Sequence, residues 1–380
     1  MNCRVLIVSV SAGAGHLRAA QAVEKALAAK HPEVKVANID AMEYVNAAFR
    51  RVYSKGYLDL VNRAPALWGH IYSRTERARP TGPTARLNRL MERLNSGRLV
   101  RFAREFDPHE VLAVHPLPMD VFNRLKRKGR LGARVSVAVT DYDVHPLWID
   151  PVTDCYFAGC EEVAHRLGRH GLERRRIRTT GIPVVPEFSA PVRARARRRV
   201  SSEMGLRAGC PTMLTSAGGF GVGRVDEAID TMVSAASRGG GANLVVVAGR
   251  NRKLRNRLSK LRTPRAVKLV VLGFVDNMHE LMSVADLMVT KPGGLTSSEC
   301  LSRRLPMLII DPIPGQEERN ATYLLEAGAA WQAPTLDALD YKLGRLLSEP
   351  ARLTAMSRAA GRLARPRACF DIAEALATRR

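Results

Sequence analysis

Short, nearly unbroken apolar runs alternate along the chain with longer stretches in which apolar residues recur at helical spacing. In the first half RVLIVSV, VKVANID, VLAVH, VSVAVTD and CYFAG are the apolar runs, and most have the continuous character of parallel strands covered on both faces. LRAAQAVEKALAAK and EEVAHRLGRHG carry the helical period between them. The second half repeats the style with TMLTSA, NLVVVAG, KLVVLGF, DLMVTK and MLIID, each followed by a helical pattern such as ELMSVAD or ATYLLEAG. Two βα series in one chain predict an α/β protein with two doubly wound domains.

The stretch GIPVVPEFSAPVRARARRR, with three prolines and a basic run, interrupts the alternation and marks the join. Residues 1–188 are expected to form one domain and 189–362 a second, with 363–380 a terminal helix able to return to the first. One region departs from the pattern. From Tyr44 to Arg104 no strand is evident, and Tyr, Trp, Phe and Leu are mixed with many arginines around a break at RPTGP. Helices covering the sheet with solvated arginines would look like this, and so would a surface for an anionic membrane.

The chain has 380 residues, 46% of them apolar, enough for two cores. Its 60 Lys and Arg against 36 Asp and Glu leave a net charge of +24, a field that attracts nucleic acid, anionic lipid or phosphorylated substrates. Nucleic acid is the weakest of these, because aromatics are only 5% of the chain and no nucleic-acid motif appears. The six cysteines show no CxxC pair or zinc spacing, as expected of reduced thiols in the cytosol. The first apolar run is too brief for a signal peptide, and none reaches the roughly 18 residues of a membrane span. A membrane encounter would therefore be peripheral.

In open α/β sheets ligands bind beyond the carboxyl ends of the strands, so the turns there hold the candidate chemistry. In DLMVTKPGGLTSSECL the strand stops at Pro292, and Gly293 and Gly294 let backbone approach a ligand. The helix that follows offers unpaired N–H groups to phosphate oxygens, Thr296 a hydroxyl, and Glu299 a carboxylate placed for the two hydroxyls of a ribose. A plain capped turn has the same letters. PIPGQEERN puts Gln316, Glu317 and Asn320 at the next helix start, a donor and acceptor set suited to a sugar or to simple capping. SAGGFGVG contributes Gly219 and Gly221 without a Walker lysine or the acidic residue of a dinucleotide site. In the first half SAGAGHLRAA leads through Gly15 to His16 at a helix start, where the dipole disfavours a charged imidazole. VTDYDVHPLW adds Asp141 and His145 at another strand end. An aspartate orienting an imidazole is a general-base arrangement, with either histidine as the base. HExxH, GxSxG and paired glycosidase carboxylates are missing, which disfavours hydrolysis.

Taken in order, SAGAGHLRAA, TDYDVHPLW, TGIPV, AGRNRKL, GFVDNMHELMSVADLMVTKPGGLTSSECL and PIPGQEERN resemble the monogalactosyldiacylglycerol synthase and processive diacylglycerol glucosyltransferase family. The resemblance implies a GT-B fold, two Rossmann-like domains facing across a cleft. It implies an inverting transferase that moves a hexose from a UDP-sugar to a hydroxyl of diacylglycerol or a similar lipid, with no cofactor and no metal in the active site. By the same resemblance Phe274, Val275 and Met278 would hold uracil, and Arg250 would lie near the nucleotide. Gly293, Gly294 and Thr296 would take the diphosphate, Glu299 the ribose, and Gln316, Glu317 and Asn320 the hexose, while His16 would serve the acceptor hydroxyl. The expected setting is the cytoplasm, peripheral on the inner face of the plasma membrane. A transferase with a soluble acceptor, a UDP-sugar epimerase and, more remotely, a basic nucleic-acid-binding protein are the alternatives.

Overall fold

A computed structural model describes residues 3–11, 14–46, 50–51, 64–77, 97–216 and 225–378. Contacts divide the chain into two units. The first comprises Met1–Ser189, Pro314–Arg319 and Arg365–Arg380, and the second Ala190–Ile313 and Asn320–Ala364.

In the first unit strands β1 (Arg4–Ser9), β2 (Lys35–Asp40), β3 (Glu110–Ala113), β4 (Arg134–Ala138), β5 (Cys155–Ala158) and β6 (Ile177–Thr179) form one sheet in the order β2-β1-β3-β4-β5-β6. Every pairing is parallel. Successive residues of β1 serve opposite faces, as the strand period demands. Val5 and Ile7 pack with the helix Ala14–Lys30 and the terminal helix Ala368–Ala377, whereas Leu6 and Val8 pack with the helices Gly97–Phe106 and Pro116–Arg127.

The second unit repeats the plan. Strands β7 (Thr212–Ser216), β8 (Ala242–Val247), β9 (Val267–Leu272), β10 (Leu287–Thr290), β11 (Met307–Ile310) and β12 (Ala330–Ala333) are parallel in the order β12-β11-β10-β7-β8-β9. In both sheets the order reverses beside the first strand, so the switch points lie between β1 and β3 and between β7 and β10. A crevice forms there because the two connections leave in opposite directions.

Two strands, β6 and β12, have no counterpart among the apolar runs of the sequence. Both are sheet edges, and their sequences IRT and AWQA are short and incompletely buried. An edge strand is covered less and does not need an unbroken apolar run.

Two helices of the arginine-rich region differ in what they bury. The helix Gly97–Phe106 buries Leu99 and Ala103 beneath the sheet and exposes Arg98, Arg101 and Arg104, a covering helix with a solvated face. The helix Pro65–Arg77 instead leaves Leu67 53% and Ile71 36% exposed. The break RPTGP lies outside the described residues.

The terminal helix buries Cys369, Ile372, Ala373 and Leu376 against Ala19, Ala22, Val23 and Ala26, small residues that let the two helices approach closely. Its return needs Gly181, whose φ is +94° and where a Cβ would stand 2.4 Å from Cβ of Arg365. Among the described residues no helix is long and apolar enough to cross a membrane.

Candidate active site

At the switch point of the first unit, consecutive strands of the sheet deliver three polar side chains to one place. His16 follows β1 in the first turn of the helix Ala14–Lys30, His115 follows β3, and Thr140 follows β4. Nδ1 of His16 lies 3.2 Å from Oγ1 of Thr140. The two imidazoles meet edge to face with centroids 4.9 Å apart, and Trp148 lies 6.4 Å from each. Burial pushes the pKa of His16 down to about 4, against a smaller upward pull from a backbone hydrogen bond at Val114. Burial and then the neighbouring His16 hold His115 well below the usual range as well. Both rings are neutral at physiological pH, the form in which a histidine accepts a proton. A cavity of about 230 Å³ lies on the other side of β1, lined by Ser9, by Leu17, Arg18 and Gln21 of the helix, and by Asn38, Ile39 and Asp40 of β2, and not by these side chains.

His115 escaped the sequence reading, although a signal was present. The tetrapeptide VHPL occurs twice, at 114–117 and 144–147, and both copies fold alike. In each the histidine caps a helical turn beginning with proline, and its Nδ1 accepts the leucine N–H at 3.1 Å. With Nδ1 accepting, Nε2 carries the proton. In His145 that nitrogen faces the carbonyl of Tyr72 at 3.4 Å, and the ring packs 4.6 Å from the Tyr72 ring. His145 thus has a backbone group within reach of each ring nitrogen. The side-chain partner of His16 is Thr140, one residue before Asp141. Asp143, two residues after Asp141, is the ionic hub of this loop: it is buried, accepts the Val144 N–H at 2.8 Å, and pairs with both Arg166 and Arg319.

At the switch point of the second unit, β10 leads through Lys291 and Pro292 to Gly293, which caps the helix Gly294–Ser302 in extended conformation with no side chain to offer it. The first-turn N–H groups of such a helix attract anions. Thr296 is half-buried on this turn and Glu299 is 5% exposed on the next. Cys300 beside it is fully buried, and burial followed by the Glu299 charge pushes its thiol far up, so it is inert. Along the same sheet edge, Phe274 after β9 is 65% exposed and the Arg250 guanidinium after β8 stands 5.3 Å from its ring centre. Val275 and Met278 are half-buried beside it in sequence. Gly219 and Gly221 follow β7 but lie outside the described residues. Gly15 is described, and a Cβ there would meet nothing within 4 Å.

The helix Gln316–Glu326 starts in the first unit and continues in the second. Glu318 turns back to accept the Gly315 N–H at 2.9 Å, half of a capping box. Gln316 and Glu317 are half-buried, and Asn320 is fully buried. Among the described residues no three His, Cys, Asp or Glu side chains gather as a metal site requires.

Two family matches cover these two sites. Residues 16–184 match the monogalactosyldiacylglycerol (MGDG) synthase family, and residues 225–369 match the glycosyltransferase family 28 C-terminal domain. The chain belongs to the family 28 glycosyltransferases, with an MGDG synthase first domain. This glycosyltransferase is 28% identical over 377 residues to the processive diacylglycerol beta-glucosyltransferase of Staphylococcus saprophyticus, a match that covers 94% of this chain and 88% of the relative. Among solved structures it is similar to MnaA of S. aureus, determined with UDP, with a TM-score of 0.64, 13% identity and coverage of 97% and 94%. Acinetobacter baumannii MurG matches with a TM-score of 0.59, 15% identity and 99% of both chains. These structural likenesses establish the GT-B type of fold, two parallel six-stranded sheets with their helices.

Proposed function

We propose that the enzyme moves a hexose from a UDP-sugar onto a hydroxyl of diacylglycerol or a similar lipid, with inversion at the anomeric carbon. The observation that carries this reading is the buried carboxylate of Glu299 on the second turn of a glycine-capped helix. Backbone N–H groups at Gly293, Gly294 and Thr296 suit a diphosphate, and a carboxylate one turn further suits two ribose hydroxyls. Phe274, with Val275 and Met278, would receive uracil, with Arg250 stacked on the Phe274 ring. Gly219 and Gly221 would approach the diphosphate from the turn after β7. Gln316, Glu317 and Asn320 would hold the hexose.

In the reaction the acceptor oxygen bonds to the anomeric carbon as the bond to the UDP oxygen breaks, and the acceptor proton passes to neutral His16. Gly15 keeps the start of the helix open beside it, and Thr140 orients the ring. Charge developing on the leaving diphosphate meets the helix start, which removes the need for a metal. Diacylglycerol leaves a bilayer at great cost, so the enzyme works at the membrane surface, on the cytoplasmic face where UDP-sugars are made available. The exposed Leu67 and Ile71 and the charge of +24 support such docking.

The test is turnover with UDP-glucose, UDP-galactose and UDP-N-acetylglucosamine, with and without diacylglycerol vesicles. UDP release that requires the lipid and yields a glycosylated lipid is the expected result. Lipid-independent conversion of the sugar, or transfer only to soluble acceptors, would replace this function with an epimerase or a soluble-acceptor transferase.

A further inference from the structure

Within the first unit the turn Pro314–Arg319 is held at Pro314, Gly315, Glu318 and Arg319. Gly69, on the helix Pro65–Arg77, lies so near that a Cβ there would stand 2.8 Å from Cβ of Pro314. Gly315 has φ +92°, and a Cβ on it would stand 2.6 Å from a ring carbon of Tyr72. Glu318 caps the Gly315 N–H. The Arg319 guanidinium stands 5.7 Å from the Tyr72 ring centre and pairs with buried Asp143. Asp143 is anchored in turn by Arg166 and by the Val144 N–H.

We propose that Asp143, Arg319 and Tyr72 form a latch of positioning residues for the donor hexose, fixing the turn that presents Gln316 and Glu317. The proposal rests on the hexose role given above to those two side chains. The latch residues touch no reacting atom. They act because Arg319 lies one helical turn beyond Gln316, so a guanidinium clamped between a carboxylate and an aromatic face fixes the rotation of that turn. Removing Arg319 leaves Asp143 with Arg166, so the fold keeps its buried charge paired while the turn loses its clamp.

The experiment compares calorimetric affinities for UDP and for the best UDP-hexose substrate in Arg319→Gln, Arg319→Lys, Tyr72→Ala and Tyr72→Phe, with the exposed Arg358→Gln as control. Arg319→Gln and Tyr72→Ala are expected to weaken UDP-hexose binding about tenfold while UDP binding stays within about twofold of the wild type. Arg319→Lys keeps the charge but not the planar stack and should recover part of the loss, and Tyr72→Phe, which keeps the ring, should recover most. Equal losses for UDP and UDP-hexose would mean general loosening and overturn the latch, as would no loss at all. Gln316→Ala and Glu317→Ala separate the two ideas. If these weaken UDP-hexose binding and Arg319→Gln does not, the latch alone falls; if none of them does, the hexose assignment falls with it.

Discussion

The behaviour of His16 follows from what surrounds the imidazole. Burial lowers its pKa from 6.5 to about 4. Above pH 6.5 the folded and unfolded chains both hold it neutral, and between 6.5 and about 4 only the unfolded chain takes the proton. Folding stability should therefore fall as pH drops through that window, and His16→Gln, which does not titrate, should flatten the dependence in pH-resolved thermal melts. His115 titrates low beside it and leaves part of the slope in place. His16→Gln should also reduce turnover by about 10² to 10⁴ while UDP affinity stays near wild type, as the loss of a general base requires. Glu299 is the opposite case, a carboxylate assigned to binding. Glu299→Ala should weaken UDP by about 1.5 to 3 kcal/mol in calorimetry, the range for hydrogen bonds to charged groups. Unchanged UDP affinity would remove the ribose assignment. The VHPL pair gives the residue-scale lesson, because identical letters produce identical caps yet only His115 ends beside His16.

Two helices of similar composition take different roles according to which side chains find a core. In Gly97–Phe106 the apolar residues Leu99 and Ala103 are buried and the arginines remain in water. In Pro65–Arg77 Gly69 and Tyr72 meet the Pro314–Arg319 turn while Leu67 and Ile71 face outward. If that outward face docks on lipid, the double variant Leu67→Ser, Ile71→Ser should lower sedimentation with anionic vesicles and activity on them, and leave UDP affinity unchanged. Arg74 should act in the same direction by charge, with an effect that fades as salt rises. Equal binding of the wild type to neutral and anionic vesicles would count against the basic contribution. The terminal helix is an element of stability instead. Ile372 is fully buried, so Ile372→Ala should cost about 2 to 5 kcal/mol, read as a lowered melting temperature.

At the scale of the whole molecule, two sheets built from the same alternating pattern carry different chemistry at equivalent switch points, neutral imidazoles in one and a glycine-capped helix in the other. That division was legible in the chain, since buried parallel strands must be apolar throughout and the turns after them must carry the glycines and polar groups. The amino-acid order alone predicts ten of the twelve strands among the described residues, the helix-start character of His16 and Gly293, and the place of Glu299 one turn on, because each depends on periods within a few residues. It did not determine the edge strands β6 and β12, whose short half-covered sequences carry no period. Nor did it determine which groups meet across long separations. Thr140 reaches His16 from 124 residues away, and Asp143 gathers Arg166 and Arg319, the latter 176 residues distant. Such pairings are decided by strand order and by which side of a turn each side chain leaves, and only the folded sheet sets those.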